Sequence, residues 1–289
     1  RDTDALRAQI DKQKALYQDA VPDLKQREKL VAMLVSGDAL APGASDGRVL
    51  EVLAQSGVFL AGGVVVGSHA FYTYGNMLGI SWDSVAMQTQ DMDLASYRHI
   101  AVALRHDAPD IKAVLLKSGM GFFEVPALNP KQPSTSFKVR GQEFQVDLLT
   151  PAQPAETEQP VYLPHFHSHA YPMRFLEYLL ADNQGAVIPF RNGIFVNVPH
   201  PARFALHKLV VSRRRPAAQQ IKARKDIQQA TALLNLLLED RPGDIWIALE
   251  AARAMPDKFV TQLAEGIELL PASLKQTLAE HLNSIPTGD

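Results

Sequence analysis

The sequence predicts a mixed α/β protein of the α+β kind, with helices at both ends and a small mixed sheet between them. Three observations carry this. Residues 1–35 are dense in charge and repeat apolar side chains at helical spacing. Residues 58–198 hold short apolar runs, rich in β-branched residues and punctuated by glycine. From Pro201 onward the spacing is helical again. With 289 residues, 46% hydrophobic and 21% charged, the chain can bury a substantial core. A disordered chain is poorer in apolar residues and carries more net charge.

The elements follow in order. Leu6, Ile10, Tyr17, Leu24, Leu30 and Leu34 fall near one stripe, which predicts two helices broken at Pro22–Asp23. Residues 38–47, DALAPGASDG, read as a linker, and Arg48–Gln55 as a short helix. VFLAGGVVV, Val58–Val66, is a continuous apolar run between Gly57 and Gly67 and reads as a buried strand. Ser68 is placed to cap a helix over His69–Met77, which Gly79 ends. Ile80–Gln88 shows no clear pattern, and Thr89–Ala95 reads as a strand. Pro109–Ser118 reads as a helix with Gly119 beyond it, and Gly121–Val125 as a strand. Phe137–Arg140 and Glu143–Leu149 form an expected hairpin around Gly141. Val187–Phe190 and Ile194–Val198 form another around Arg191–Asn192–Gly193. Pro151–Pro164 reads as loop. The closing helices are expected to break at Pro216, Pro242, Pro256 and Pro271. The expected division is an N-terminal helical extension over 1–45, a core over 46–199 and a C-terminal helical domain over 200–289.

Composition removes several chemistries. The chain has no cysteine, so disulfides, thiolate nucleophiles, cysteine-bound zinc and iron–sulfur clusters are excluded. This fits a reducing compartment, and a cytoplasmic location is expected. No apolar run reaches the length of a membrane span, and RDTDALRAQI is not a signal peptide. The sequence opens on Arg1 rather than Met, so further residues are expected before it. Neither G-x-G-x-x-G nor G-x-x-x-x-G-K-[ST] occurs. Lys+Arg 29 against Asp+Glu 31 leaves a net charge of −2, so any basic footprint must be local.

Three features carry chemistry. Gly67–Ser68 lies between an apolar strand and a helix. Asp91-Met92-Asp93-Leu94 places two carboxylates two residues apart, alternating with apolar residues, and Asp147 lies in a later strand, FQVDLL. Residues i and i+2 share one face of a strand, so Asp91 and Asp93 project side by side, roughly 6–7 Å apart. If the strand of Asp147 lies beside theirs, it joins them. Three clustered carboxylates repel one another unless cations bind, and oxygen-only ligands select Mg²⁺ or Mn²⁺. Two such ions about 3.5–4 Å apart serve in-line phosphoryl displacement. One would hold a nucleoside triphosphate, and the other would lower the pKa of an acceptor hydroxyl. Gly67 lets the backbone approach phosphate, and the helix start at Ser68 offers amides to an anion.

The order VVVGS, QDMDL, FQVDLL resembles the DNA polymerase beta-like nucleotidyltransferase superfamily. The stretch GSHAFYTYGNMLGI…TQDMDLA, followed by VPHPARFALHKLVVSRRR, is similar to a group of uncharacterised prokaryotic nucleotidyltransferases, over about Val58 to Ala232. The resemblance implies a nucleotidyltransferase core that transfers a nucleoside monophosphate from an NTP, ATP among them, and releases pyrophosphate. It implies metal ligation and catalysis by Asp91, Asp93 and Asp147, and phosphate contact by Gly67 and Ser68. A lysine from the helical domain contacts the triphosphate in such enzymes, and Lys208 or Lys225 would fill that place. One departure stands out: minimal members place about a dozen residues between Gly-Ser and the first Asp. Here His69–Gln90 intervene, so Gly75–Gln88 is expected as an insertion near the site mouth.

Residues 200–225 contain Arg203, Lys208, Arg213, Arg214, Arg215, Lys222, Arg224 and Lys225, and no Asp or Glu. A positive lobe beside the carboxylates is the footprint that a triphosphate or an RNA or tRNA acceptor needs. A solvated helix face competes with that reading for Arg213–Arg215. Protein side chains and small molecules are further possible acceptors, and no membrane partner is expected. His165, His167 and His169 form H-x-H-x-H between Pro164 and Pro172, which reads as a polar loop more than as a metal site. Tyr72 and Tyr74 could stack on a base, although core packing is the commoner fate of such aromatics. Two rivals remain: a non-catalytic binding or regulatory module of the same fold, such as a toxin–antitoxin component, and a nucleic-acid-binding protein using residues 200–225.

Overall fold

A computed structural model describes residues 3–82, 91–99, 108–127, 129–153 and 159–284. Helix α1 (Thr3–Ser36) is continuous. The expected break at Pro22–Asp23 is absent: Pro22 lies inside a mostly exposed helix, where solvent can take the carbonyl its ring deprives of a partner. Helix α2 (Ala44–Gln55) follows and buries Val49, Leu50 and Leu53.

Strand β1 is only Val64–Val66. The longer strand expected over Val58–Val66 is interrupted because Gly57 and Gly62 adopt positive φ. They wind the run into turns in which Ala61 N–H donates to Gly57 O and Gly63 N–H to Val58 O. Val58, Phe59 and Ala61 are buried all the same, so the apolar run reaches the core without being a strand.

Helix α3 (Gly67–Leu78) starts directly at β1 and ends on Gly79 in the left-handed region, as expected. Ser68 does not cap it: Val66 holds the cap position and no side chain bonds the first turn. Tyr74 is buried and donates to Pro199 O, so its ring is closed to a base, while the half-buried Tyr72 donates its hydroxyl to Ala41 O. The start of the expected insertion, Gly75–Leu78, is simply the end of this helix. Helical rise carries Gly79 about 18 Å from Gly67, away from the site. Trp82 then stacks on Phe71 at 4.4 Å. The rest of that segment, with Thr89, Gln90 and His106, lies outside the described residues.

The remaining strands are β2 (Asp91–Ala95), β3 (Phe122–Glu124), β4 (Ser136–Val139), β5 (Gln145–Pro151), β6 (Val161–Leu163) and β7 (Ser168–Met173). Helix α4 (Ile111–Lys117) precedes β3, with the Asp110 side chain accepting from Ala113 N–H. The sheet runs β1-β2-β5-β4-β3, with β7 also on β5 and β6 on β7. It is mixed: β1/β2, β3/β4, β4/β5 and β6/β7 are antiparallel, while β2/β5 and β5/β7 are parallel. Pro151–Pro164 is therefore not all loop, since Val161 and Leu163 bury themselves beside β7. The hairpin β8 (Asn183–Ile188) and β9 (Ile194–Pro199) turns through Arg191 and Gly193, both at positive φ. Asn197 ties it to the start of β1 by donating to Phe59 O and Gly63 O.

Short helix α5 (Leu176–Leu180) leads into this hairpin. After it come α6 (Pro201–Arg214), α7 (Gln220–Asp240), α8 (Pro242–Arg253), α9 (Asp257–Ile267) and α10 (Ala272–Ser284). Pro216, Pro242, Pro256 and Pro271 stand at the joints. Phe204 on α6 packs between Phe71 and Tyr74 of α3, which locks this helical layer to the start of the site.

Candidate active site

Strand β2 reads Asp-Met-Asp-Leu-Ala. Met92 and Leu94 are buried on one face, so Asp91 and Asp93 emerge half-buried on the other. Strand β5 alternates in the same way, burying Val146 and Leu148 and turning Gln145 and Asp147 outward. The parallel register sets Asp93 beside Asp147 and Asp91 beside Gln145. All three aspartates therefore share one face of two adjacent strands.

Gly67 closes the third side. Val66 pairs with Asp93 across β1 and β2, and a β-carbon at Gly67 would collide with the Asp93 carboxylate. Gly67 also has φ +63, a region that L side chains rarely adopt. Ser68 begins the helix next to it and accepts a 3.4 Å hydrogen bond from Gln229 of α7.

The side chains are held apart by protein donors. Ser136 Oγ and Gln145 Nε2 (2.7 Å) both donate to Asp147 Oδ1, and Lys222 Nζ donates to Asp91 Oδ2 at 3.1 Å. Among the described residues, no three His, Cys, Asp or Glu side chains are grouped closely enough to hold one ion. The electrostatics nonetheless couple the trio. Burial, and next the Asp147 charge, push the Asp93 carboxyl up to about 6, with Asp91 adding to the rise and Lys208 and His69 opposing it. Burial also raises Asp147, against the hydrogen bonds from Ser136 and Gln145. Half-buried carboxylates that raise one another, with only oxygen donors, suit a hard divalent cation.

Lys208 and Lys225 both lie in the electrostatic reach of this cluster. Lys208, on α6, is buried and its Nζ bonds Asp226 Oδ1 at 2.6 Å; Arg215 Nε bonds the other oxygen at 3.0 Å. Lys225, on α7, is lowered chiefly by burial and then by Lys208. The positive lobe of residues 200–225 is partly neutralised: besides these pairs, Arg213 meets Glu265 at 3.2 Å. Ser136 and Gln145 are not among the sequence-predicted site residues, and Lys222 figures there only as part of the basic run. Ser136 and Gln145 carry no motif of their own and gain meaning only from strand register. Lys222 stands 131 positions from Asp91, although its place in the basic run was visible.

The three histidines do not converge. His165 is buried and its Nε2 bonds Ser96 Oγ at 2.9 Å. His167 is at positive φ, and His169 packs against Tyr162. Pro164 and Pro172 do not bracket a loop: a 3₁₀ turn over Pro164–Phe166 and strand β7 occupy that segment.

A glycine–serine turn between strand and helix, facing carboxylates on two parallel strands of a mixed sheet, defines the nucleotidyltransferase class of fold. The match of residues 45–253 to the nucleotidyltransferase family places the chain in that family. Membership supports a general role in nucleotidyl transfer. No curated protein matches the chain. Among solved structures, it is similar to the crystal structure of an antigenic nucleotidyltransferase-like protein from Paracoccidioides brasiliensis. The two are 19% identical, over 86% of this chain and 97% of the other, with a TM-score of 0.44. No helix among the described residues is long and apolar enough to cross a membrane.

Proposed function

We propose that the protein transfers a nucleoside monophosphate from an NTP to a hydroxyl acceptor and releases pyrophosphate. The observation that carries this reading is the β2/β5 register, which sets Asp91, Asp93 and Asp147 on one face against the Gly67 backbone. In the reaction the acceptor oxygen bonds the α-phosphorus, and the bond from that phosphorus to the bridging oxygen of pyrophosphate breaks. Asp147, whose carboxyl burial already raises, would orient the attacking hydroxyl and take its proton. The amides at Gly67 and Ser68 would hold the β and γ phosphates, and Lys208 or Lys225 would supply positive charge beside them. Asp91, Asp93 and Asp147 would hold Mg²⁺ or Mn²⁺, two ions in all, whose chemistry is to neutralise phosphate charge and acidify the acceptor hydroxyl. The rest of the rate would come from positioning.

The test is incubation with each labelled NTP, Mg²⁺ and total cellular RNA or lysate, followed by fractionation of the label. Label is expected in one fraction, and the Asp91→Ala/Asp93→Ala variant is expected to abolish it while remaining folded. Equal labelling by the double variant would overturn the reading. A non-catalytic module of the same fold would label nothing with either protein.

A further inference from the structure

We propose that the acceptor is a single-stranded nucleic acid, held in a basic cleft beyond the end of β5. The inference rests on the reading above and names the acceptor class for that site. The cleft has a volume of about 390 Å³, and its walls include Tyr171, Arg174, Arg214, Arg215 and Gln219, with Ala152 at the end of β5. Arg174, Arg214 and Arg215 line it and no Asp or Glu does; Arg214 lies over the Phe175 ring at 5.1 Å, and Arg215 also bonds Asp226 and Gln219.

Position ties the cleft to the carboxylates. Leu149 lies two residues beyond Asp147 on the same face of β5, and Tyr171 is its register partner on β7. Ala152 is five residues past Asp147, about 16 Å at strand rise. A second link runs through charge. Arg215 and Lys208 grip the two oxygens of the buried Asp226, and Lys208 acts electrostatically on Asp93. Arg215 of the cleft wall and Lys208, a candidate phosphate contact, are therefore held by the same buried anion.

The residue types select the ligand. Arg174 and Arg214 are exposed, and Tyr171 is 40% exposed. Guanidinium groups meet phosphate oxygens in paired hydrogen bonds. An exposed aromatic ring among them gives a base a stacking surface, the combination that tracks a single strand. A chain of net charge −2 has no general attraction for a polyanion, so this local concentration of arginine points to a phosphate-bearing acceptor. Arg213, one residue before Arg214, is turned to Glu265 and does not line the cleft. It supplies a control of the same charge on the same helix.

The experiment measures binding of short fluorescein-labelled single-stranded RNA and DNA to the full chain, in EDTA and without NTP, across a salt series. The Arg174→Ala/Arg214→Ala variant is expected to bind at least ~10-fold more weakly. Its slope of log affinity against log salt should flatten by about 1.4, the share of two phosphate contacts. Arg213→Ala should behave as the parent protein. Should the double variant not fold, Arg174→Glu alone gives the same readout. Unchanged affinity and slope overturn the proposal, as does stoichiometric displacement of the oligonucleotide by pyrophosphate, which would make the cleft a product site. Label appearing on protein alone in the transfer assay also overturns it. Because binding is read without metal or NTP, its failure leaves the transfer chemistry standing. Failure of the transfer assay likewise leaves the cleft standing.

Discussion

Gly67 and Asp93 are in contact distance across the β1/β2 pair, and only a hydrogen at the α-carbon of residue 67 leaves room for the carboxylate. The same residue needs a positive φ to turn the chain from strand into helix. Two independent demands thus fall on one glycine: backbone conformation, and the approach of amide groups to an acidic side chain. Whatever sits beside Asp93 meets the start of α3 immediately.

Gly67→Ala is accordingly expected to destabilise the protein by about 1–3 kcal/mol, through the left-handed backbone and the displaced carboxylate. It should lower nucleotide transfer by about 100-fold, since a shift near 1 Å at a reacting group costs that much. Chemical denaturation and the labelling assay check the two numbers separately. A variant with parental stability and rate would show that the contact is unimportant.

The Asp93 carboxyl, raised to about 6 against an ordinary 3.8, gives the metal-free protein a distinctive pH dependence. The folded state favours the protonated form, so stability is greatest below about pH 4 from this group and is lost as pH rises through 6. The loss amounts to at most about 3 kcal/mol at pH 7. Asp93→Asn should remove it, making the metal-free variant more stable than the parent at pH 7 and little different at pH 4. Mg²⁺ should stabilise the parent more at pH 7.5 than at pH 5, because protons compete for the same oxygens. Thermal melts in EDTA and in Mg²⁺ at the two pH values decide the matter. Equal stability of parent and variant at pH 7 in EDTA would refute the assignment.

Where the sequence was readable, the signal was local. Asp91 and Asp93 alternate with Met92 and Leu94, so both the strand and its polar face could be read from five residues. The hairpins at Gly141 and Gly193 and the proline joints between the closing helices were likewise readable from a few neighbouring residues. What could not be read was non-local. That β5 lies parallel to β2, rather than elsewhere in the sheet, depends on packing across about fifty intervening positions. Ser136 meets Asp147 through the β4/β5 hairpin pairing and Gln145 from two positions away on the same strand, so those contacts are local, and only their meeting with Asp91 and Asp93 depends on the β2/β5 register. Val58–Phe59 misled for the opposite reason: local hydrophobicity was satisfied by buried turns rather than by a ladder. Lys208, expected as a phosphate contact, sits in a buried ion pair with Asp226, 18 positions further along the chain.

Asp226 is the next point of leverage. It is buried, and it binds Lys208 at 2.6 Å and Arg215 at 3.0 Å. Those two cations hold its carboxyl below the usual range even though burial opposes them. Asp226→Ala leaves a buried ammonium without its counter-ion and is expected to cost about 3–5 kcal/mol. Replacing both members, Lys208→Met with Asp226→Leu, should recover most of that loss, since a well-packed apolar pair avoids the desolvation penalty. Urea unfolding of the parent and the two variants measures this. If the double replacement were no more stable than the single one, the cost would lie in packing and not in charge.

His207 governs the acid side. It is buried on α6, its Nε2 has no hydrogen-bond partner, and its other ring nitrogen donates to the backbone of Phe175. Burial is the largest cause that lowers it, followed by the Lys208 charge, and it reaches about 3 from an ordinary 6.5. The fold therefore holds the neutral ring, while the unfolded chain binds a proton below pH 6.5. Stability is complete above that value and declines as pH falls toward 3, by about 1.4 kcal/mol per pH unit within the window. Glutamine keeps a donor for Phe175 and cannot titrate in this range. His207→Gln should thus lose less stability than the parent between pH 6 and pH 4, whatever its absolute stability at pH 7. The comparison is of slopes, so a packing cost that is constant with pH drops out. The aspartates of the site push the other way over the same range, and combining His207→Gln with Asp93→Asn separates the two contributions. Parallel slopes for parent and His207→Gln would show that the ring is protonated in the folded protein, or that it opens to solvent before the chain unfolds.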